Sequence, residues 1–365
     1  MALNLQTAVS VSGYEIDFFA VGDASRSGDA IVVRFGDLSG PVEEQYVVVV
    51  DGGFSDKGDA VVKHVREIVG RERVDLVIST HPDQDHVAGL CRVVEQLEVG
   101  ELWMHLPWDH TDDIAKMFHD GRVTDNSVSE KLKNELNGVR SLANLATARG
   151  VPIREPFSGV EAFGGVIRVL GPSIEFYEEL LTDFRSAPDA AERGILAKLA
   201  GVSTRVAETF GFETLRDGGK TSAENRTSVI TLFDFGDERA MLTGDAGIDS
   251  LELAAEQLES LGLAGQLNFI QVPHHGSKHN VGPTILDRII GPKIDSDAPR
   301  MVAYVSAAKE GAPKHPSTQV ANAFLRRGAH VYATQGVALC HRENSPLRQG
   351  WISATRLPFY PEVDE

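Results

Sequence analysis

The sequence predicts an α/β fold, a four-layer αββα sandwich carrying helical insertions. Two observations lead there. Short Val- and Ile-rich runs alternate with helical patterns at both ends of the chain, in halves of roughly 14–172 and 225–341. Between and within those halves, two charged, helix-prone segments break the alternation at about 110–150 and 174–216. No Pro/Ser-rich linker divides the 365 residues, so a single domain spanning 1–365 is expected.

The strands are read in order. "IDFFAV" (16–21), "AIVVRF" (30–35), "YVVVVD" (46–51) and "VDLVIS" (74–79) are short apolar runs rich in β-branched residues. "TSVITLF" (227–233), "RAMLTGD" (239–245), "LNFIQV" (267–272), "MVAYVS" (301–306) and "AHVYAT" (329–334) repeat the pattern in the second half. Helical spacing marks 57–70, 87–97, 247–262 and 316–327. The segment 216–225, "RDGGKTSAEN", is the most loop-like stretch.

Composition narrows the class. A net charge of −18 argues against a broad electrostatic surface for duplex DNA and leaves room for a local basic strip. No run reaches the ~18–20 apolar residues of a membrane span. The first residues show no basic start before an apolar core, so a secretory leader is not expected. Cys91 and Cys340 form no CxxC pair. A reducing cytoplasm fits this cysteine usage.

Chemistry concentrates at strand ends. "THPDQDHVAGL" (80–90) puts His81, Asp83, Asp85 and His86 directly after "VDLVIS". Imidazole with carboxylate is the ligand set of Zn, Mn or Fe. His81 and Asp83 can face one point, and Asp85 and His86 a neighbouring one, ahead of a helix near Val87. Further ligands must come from elsewhere. Asp245 closes "MLTGD", and His274 and His275 open "HHGSKHN" after another apolar strand. Asp51, at the end of "VVVVD", is a carboxylate suited to orienting a ligand histidine.

These motifs resemble the metallo-β-lactamase fold, whose HxHxDH signature "THPDQDH" follows with Asp83 in place of the second histidine. Their order, "AVGDASRSGDAIVVRF…VVVVDGG", "RVLGPS", "ENRTSVITLF", "MLTGD", "PHHGS" and "KHPS", is similar to the hydrolase domain of ComEC-type DNA-uptake proteins over residues 14–341. ComEC proteins also carry membrane segments, so the resemblance is to a stand-alone hydrolase domain.

The resemblance implies two divalent ions, Zn or Mn. One would be held by His81 and Asp83, the other by Asp85, His86 and one histidine of the His274–His275 pair, His274 being the favoured one, with Asp245 bridging them. Two such ions ~3.5–4 Å apart turn a shared water into hydroxide near neutral pH. Asp85, His275 and His315 are the candidate catalytic residues, His315 matching the family's "GHP" segment. That histidine is equally a helix-start residue before Pro316. Asn225 and Ser228 match an "NxxS" element that fixes a loop, while Ser277, Lys278 and Lys314 are candidate phosphate contacts. His105 and His110, beside Trp103 and Trp108, either complete the first ion's ligands or line the cleft. Without a third histidine the first site is oxygen-rich, which favours Mn²⁺.

The implied function is a phosphodiesterase or nuclease acting on DNA or another nucleotide. Two alternatives stay open. One is hydrolysis of a lactone, lactam or thioester. The other is a partner subunit of a multi-protein, defence-type complex that docks through the helical insertions.

Overall fold

In the computed structural model, residues 5, 7–22, 26–111, 128–130, 132–133, 136–184, 205–294, 299–310 and 315–364 are described. Sheet one is built from β1 (Gly13–Phe18), β2 (Ala30–Gly36), β3 (Tyr46–Gly52), β4 (Arg73–Ile78), β5 (Glu98–Trp103) and β6 (Ile153–Arg154). Sheet two draws on β7 (Glu161–Ala162), β8 (Ile167–Gly171), β10 (Ile230–Asp234), β11 (Arg239–Leu242), β12 (Phe269–Gln271), β13 (Met301–Val305) and β14 (Ala329–Ala333). The late strand β15 (Leu339–Glu343) returns to sheet one, giving the order β15-β1-β2-β3-β4-β5-β6 against β14-β13-β12-β11-β10-β8-β7. A small third ladder joins β9 (Arg205–Ala207) to β16 (Glu362–Asp364).

Side-chain alternation makes the four layers. Ile31, Val33 and Phe35 of β2, with Val48 and Val50 of β3, meet Phe233, Leu242 and Phe269 of the other sheet in one core. Their neighbours Val32, Val47 and Val49 point the opposite way. They pack under α1 (Ser55–His64), α2 (Gln84–Gln96) and α3 (Asn137–Ala148). On sheet two, Met241, Ile270, Ala303 and Val305 face outward, against α6 (Ile248–Ser260), α7 (Pro283–Ile290) and α8 (Thr318–Arg326). A period of two buried on both faces forces helices outside both sheets, which is the αββα sandwich.

The insertions differ from expectation in one place. Helix is present at α3 and at α4 (Ile174–Leu181), but Arg205–Ala207, inside the second segment, is a strand. Its ladder partner and the buried Arg326–Glu208 pair (3.0 Å) tie it to α8 and the chain's last residues. Residues 112–127 and 185–204 lie outside the described residues. The short helix α5 (Ala223–Arg226) leads into β10, and among the described residues no helix is long and apolar enough to cross a membrane.

Helix α2 starts at Gln84, three residues earlier than the periodicity predicts, so Asp85 and His86 sit in its first turn. Glycines bring this turn close to β3. A Cβ on Gly89 would stand 1.9 Å from the carbonyl oxygen of Gly52, next to Asp51. No rotamer relieves a backbone clash, so Gly89→Ala must push α2 off the sheet. The expected cost is about 1–3 kcal/mol or more, read as a lowered midpoint in chemical denaturation. A midpoint at the wild-type value would mean that α2 does not depend on this close approach.

Candidate metal centre

Four imidazoles turn toward one carboxylate. The Nε2 atoms of His81, His274 and His275 lie 3.8, 3.6 and 3.7 Å from Asp245 Oδ2. His86 Nε2 lies 3.6 Å from the other oxygen, Oδ1. These gaps are too long for hydrogen bonds. Two ligands on one tetrahedral ion at ~2.1 Å stand about 3.4 Å apart, so the spacing suits an ion between them. Among the described residues, the Nε2 atoms of His81, His86 and His275 and Oδ1 of Asp245 are buried without a hydrogen-bond partner. Left so, each would carry a desolvation cost.

The other ring nitrogens explain the orientation. His86 Nδ1 donates to Asp51 Oδ2 at 2.7 Å. The Thr80 hydroxyl donates to that same oxygen at 2.6 Å, which leaves its own oxygen to accept from His81 Nδ1 at 3.0 Å. His275 Nδ1 donates to the Ser306 carbonyl at 3.0 Å, and His274 Nδ1 to Asn280 Oδ1 at 2.9 Å. With Nδ1 carrying the proton in each case, each Nε2 offers its lone pair to the centre. Asp51, His274 and His275 hold left-handed backbone at φ 55°, 46° and 55°. Such conformations in non-glycine residues gather at functional sites, where the surrounding contacts sustain them.

Electrostatics points the same way. Burial works against a charged His86, but Asp245 and Asp51 hold its pKa well above the ordinary imidazole value. Burial would raise Asp245, yet His275, His274 and His86 outweigh it and hold the carboxyl well below the usual range. Burial depresses His81, and it takes His275 down to about 3. Asp29, buried beside Asp245 and Asp51, is pushed up to about 7. The acids thus favour a positive charge at His86, and a dication held among these buried acids and imidazoles would supply positive charge in place of that proton.

The expected residues fall into three groups. Asp85, His86 and His275 offer ligand atoms within 4.8 Å of one another, as do Asp51, His81 and His86. The sequence left His274 or His275 open beside Asp85 and His86 and favoured His274; the ligand atom grouped with theirs belongs to His275, in the bend at 274–276. His274 is half-buried and faces the same Asp245 oxygen from the open side. Asp83 precedes α2, and its charge acts on His81. Asp51 is placed to orient His86, and Ser228 accepts the Asp245 amide at 3.1 Å. Asn225 donates to Thr221 Oγ1 at 2.9 Å, next to His274.

The remaining residues lie around this core. His315 stacks near His274, with ring centroids 6.3 Å apart. Ser277 and the half-buried Lys278 continue the His275 loop, and Lys314 lies outside the described residues. His105 packs between Phe157 and Tyr177 and does not join the ligand clusters found among the described residues. It lines a cavity of about 20 Å³ beside His81. Sequence reasoning missed Asp29, which groups with His86 and Asp245, together with Thr80, Asn280 and Gln271. Asp29 stood inside the quoted "SGDAIVV" stretch at a strand start, and that position was the available signal.

A family model described as Metallo-beta-lactamase superfamily matches residues 25–286. The chain belongs to the metallo-beta-lactamase superfamily. This membership brings the coarse class of a metal-dependent hydrolase, and the superfamily's fold normally binds divalent metals. Among solved structures, a metallo-beta-lactamase from Hirschia baltica is 14% identical, covering 78% of this chain and 100% of that one, with TM-score 0.33. Unliganded yeast PDE1 is 12% identical, covering 88% and 97%, with TM-score 0.40. A diphosphatase from the PhnP family is 12% identical, covering 91% and 98%, with TM-score 0.37. Similarities this low assign no substrate. No curated protein matches the chain in sequence.

One histidine of this superfamily member serves stability rather than the centre. His110 donates from Nε2 to Glu155 (2.9 Å) and from Nδ1 to Glu178 (3.1 Å). The Glu155 bond, aided by Glu178, raises its pKa to about 9 against burial. A raised pKa stabilises the fold fully below the unfolded value near 6.5 and loses that contribution as pH climbs through about 9. The melting temperature of wild type should therefore exceed that of His110→Gln most at pH 6, and the gap should close by pH 10. A gap independent of pH would mean that the imidazolium clamp contributes nothing.

Proposed function

We propose that the protein is a two-metal phosphodiesterase or nuclease acting on DNA or another nucleotide. One observation carries the reading: four imidazoles, each with Nδ1–H held by a separate acceptor, present Nε2 to the two oxygens of Asp245. A carboxylate with different partners on each oxygen suits a bridge. The ordered resemblance to ComEC-type hydrolase domains supports the choice of phosphodiester substrate, and the two free cysteines fit a cytoplasmic setting.

In this reading His81 with Asp83 would hold one ion, and Asp85, His86 and His275 the other, with Asp245 shared between them and His274 on the open side. When bound, the ions would acidify a water and draw charge from phosphoryl oxygens. The chain's own groups do the rest. Asp51 and Thr80 keep His86 and His81 in the metal-binding tautomer. Lys278, on the loop after His275, and His315, whose ring stacks near half-buried His274, are the groups that would hold an anionic substrate and its leaving group.

A carbonyl substrate calls for an apolar pocket without basic residues. The cavity beside His81 mixes Met104, Pro107, Val139 and Tyr177 with His81, His105, Ser79, Thr80 and Thr227, so it is not such a pocket. Its volume, about 20 Å³, admits one water, which needs ~10–15 Å³, and no lactam ring. The phosphodiester reading is preferred on the ordered resemblance of the motifs. The test is a screen of the metal-stripped protein reloaded with Mn²⁺, Zn²⁺ or Mg²⁺ against single-stranded DNA, RNA, bis-p-nitrophenyl phosphate and nitrocefin. Metal-dependent cleavage of the phosphodiesters is expected. Turnover of nitrocefin alone would overturn the reading, and DNA cleavage only after addition of a partner protein would make the chain a subunit.

A further inference from the structure

The two halves of the centre come from different sheets, and one buried side chain joins them. Gln271 ends β12. Its Oε1 accepts the amides of Thr243 (2.9 Å) and Gly244 (3.1 Å), the two residues just before Asp245. Two amide donors at one end identify that end as oxygen, so the other end is the NH2 group. Its Nε2 donates to Asp29 Oδ2 at 2.7 Å, a bond between residues 242 apart in sequence.

Asp29 belongs to the opposite sheet and is itself held on three sides. Its amide donates to the Asp85 carbonyl (3.2 Å), its carbonyl accepts from Gly53 (2.6 Å), and Oδ2 lies 3.7 Å from His86 Nδ1. The path from Asp245 to Asp85 and His86 thus runs through Thr243 and Gly244, then Gln271, then Asp29. Each link is a hydrogen bond or a peptide bond. Gln271 is 2% exposed and Asp29 1%, so water does not compete for these bonds.

We propose that Gln271 is a positioning residue, a strut between the sheets that sets the distance of the Asp245 carboxylate from Asp85 and His86. This rests on the metal-centre reading above. Only a side chain with an acceptor at one end and a donor at the other can serve both neighbours. A carboxylate there would face Asp29 with a second negative oxygen, and an apolar residue would leave the Thr243 and Gly244 amides without their acceptor.

The test uses the full-length protein and two variants, Gln271→Glu and Gln271→Met. The first keeps the shape and the acceptor end. The second keeps the length and removes all three bonds. Zn²⁺ affinity is read by competition with a chromophoric chelator, the ligand field by the visible spectrum of the Co²⁺-loaded protein, and the fold by metal-free melting. We expect at least about a tenfold loss of Zn²⁺ affinity and a changed Co²⁺ spectrum in whichever variants fold. Wild-type affinity and spectrum in a folded variant, even one that melts lower, would overturn the strut and leave Gln271 a packing residue. A wild-type protein that takes up neither Zn²⁺ nor Co²⁺ would instead overturn the metal-centre reading, and the strut with it.

Discussion

Asp245→Ala is expected to abolish phosphodiester turnover while the fold persists. The carboxylate is buried and faces four imidazoles at 3.6–3.8 Å, with its oxygens divided between His86 and the other three. Removing a ligand-orienting partner typically costs 10–100-fold in affinity or rate. If Asp245 is shared between two ions as proposed, its removal should cost more than about 100-fold. The backbone around it is held independently, because the Asp245 amide bonds to Ser228 and its carbonyl to Asn280. Asp245→Asn keeps the shape and loses the charge that would oppose the proposed dications, so it should bind metal weakly and turn over slowly. The checks are bound metal per chain, rate on bis-p-nitrophenyl phosphate, and melting temperature. A folded Asp245→Ala protein with full metal content and near-normal rate would end the bridging assignment.

The layers and most of the centre were legible because both follow from local pattern. Strands buried on two faces read as apolar runs, and ligands follow three residues past their ends, as with His81 after Ile78 and Asp245 after Leu242. What escaped depends on distant partners or on backbone conformation. Asp29 is ordinary in sequence and gains its place only when Gln271, 242 residues later, bonds to it. His274 and His275 are neighbours with the same chemistry. The left-handed bend and the separate acceptors Asn280 and Ser306 divide them, and no spacing rule encodes that. Strands β8 and β15 went unread because each is short and interrupted by charge, as in "IRVLG" and "LCHRE". Pairing with neighbouring strands makes them, so tertiary context outweighs their weak intrinsic preference.

Asp51→Asn is expected to cost about 10–100-fold in metal affinity, although the substitution changes only one atom. Asp51 accepts three bonds: from the Thr80 amide at Oδ1 (2.8 Å), and from the Thr80 hydroxyl and His86 Nδ1 at Oδ2. An asparagine has one acceptor and one donor end. If its NH2 group takes the Oδ2 place, it faces Nδ1 of His86. The imidazole must then accept there and carry its proton on Nε2, the atom turned toward Asp245, so the lone pair needed for the metal is gone. If the NH2 group takes the Oδ1 place, it meets the buried Thr80 amide donor to donor, at a cost of roughly 1–3 kcal/mol. Either way the centre or the strand end beneath it yields. Nitrogen-15 NMR of the imidazole in the metal-free protein reports which nitrogen of His86 holds the proton, and chelator competition gives the affinity. A variant with Nδ1 still protonated, wild-type Zn²⁺ affinity and an unchanged melting temperature would show that Asp51 does not orient His86.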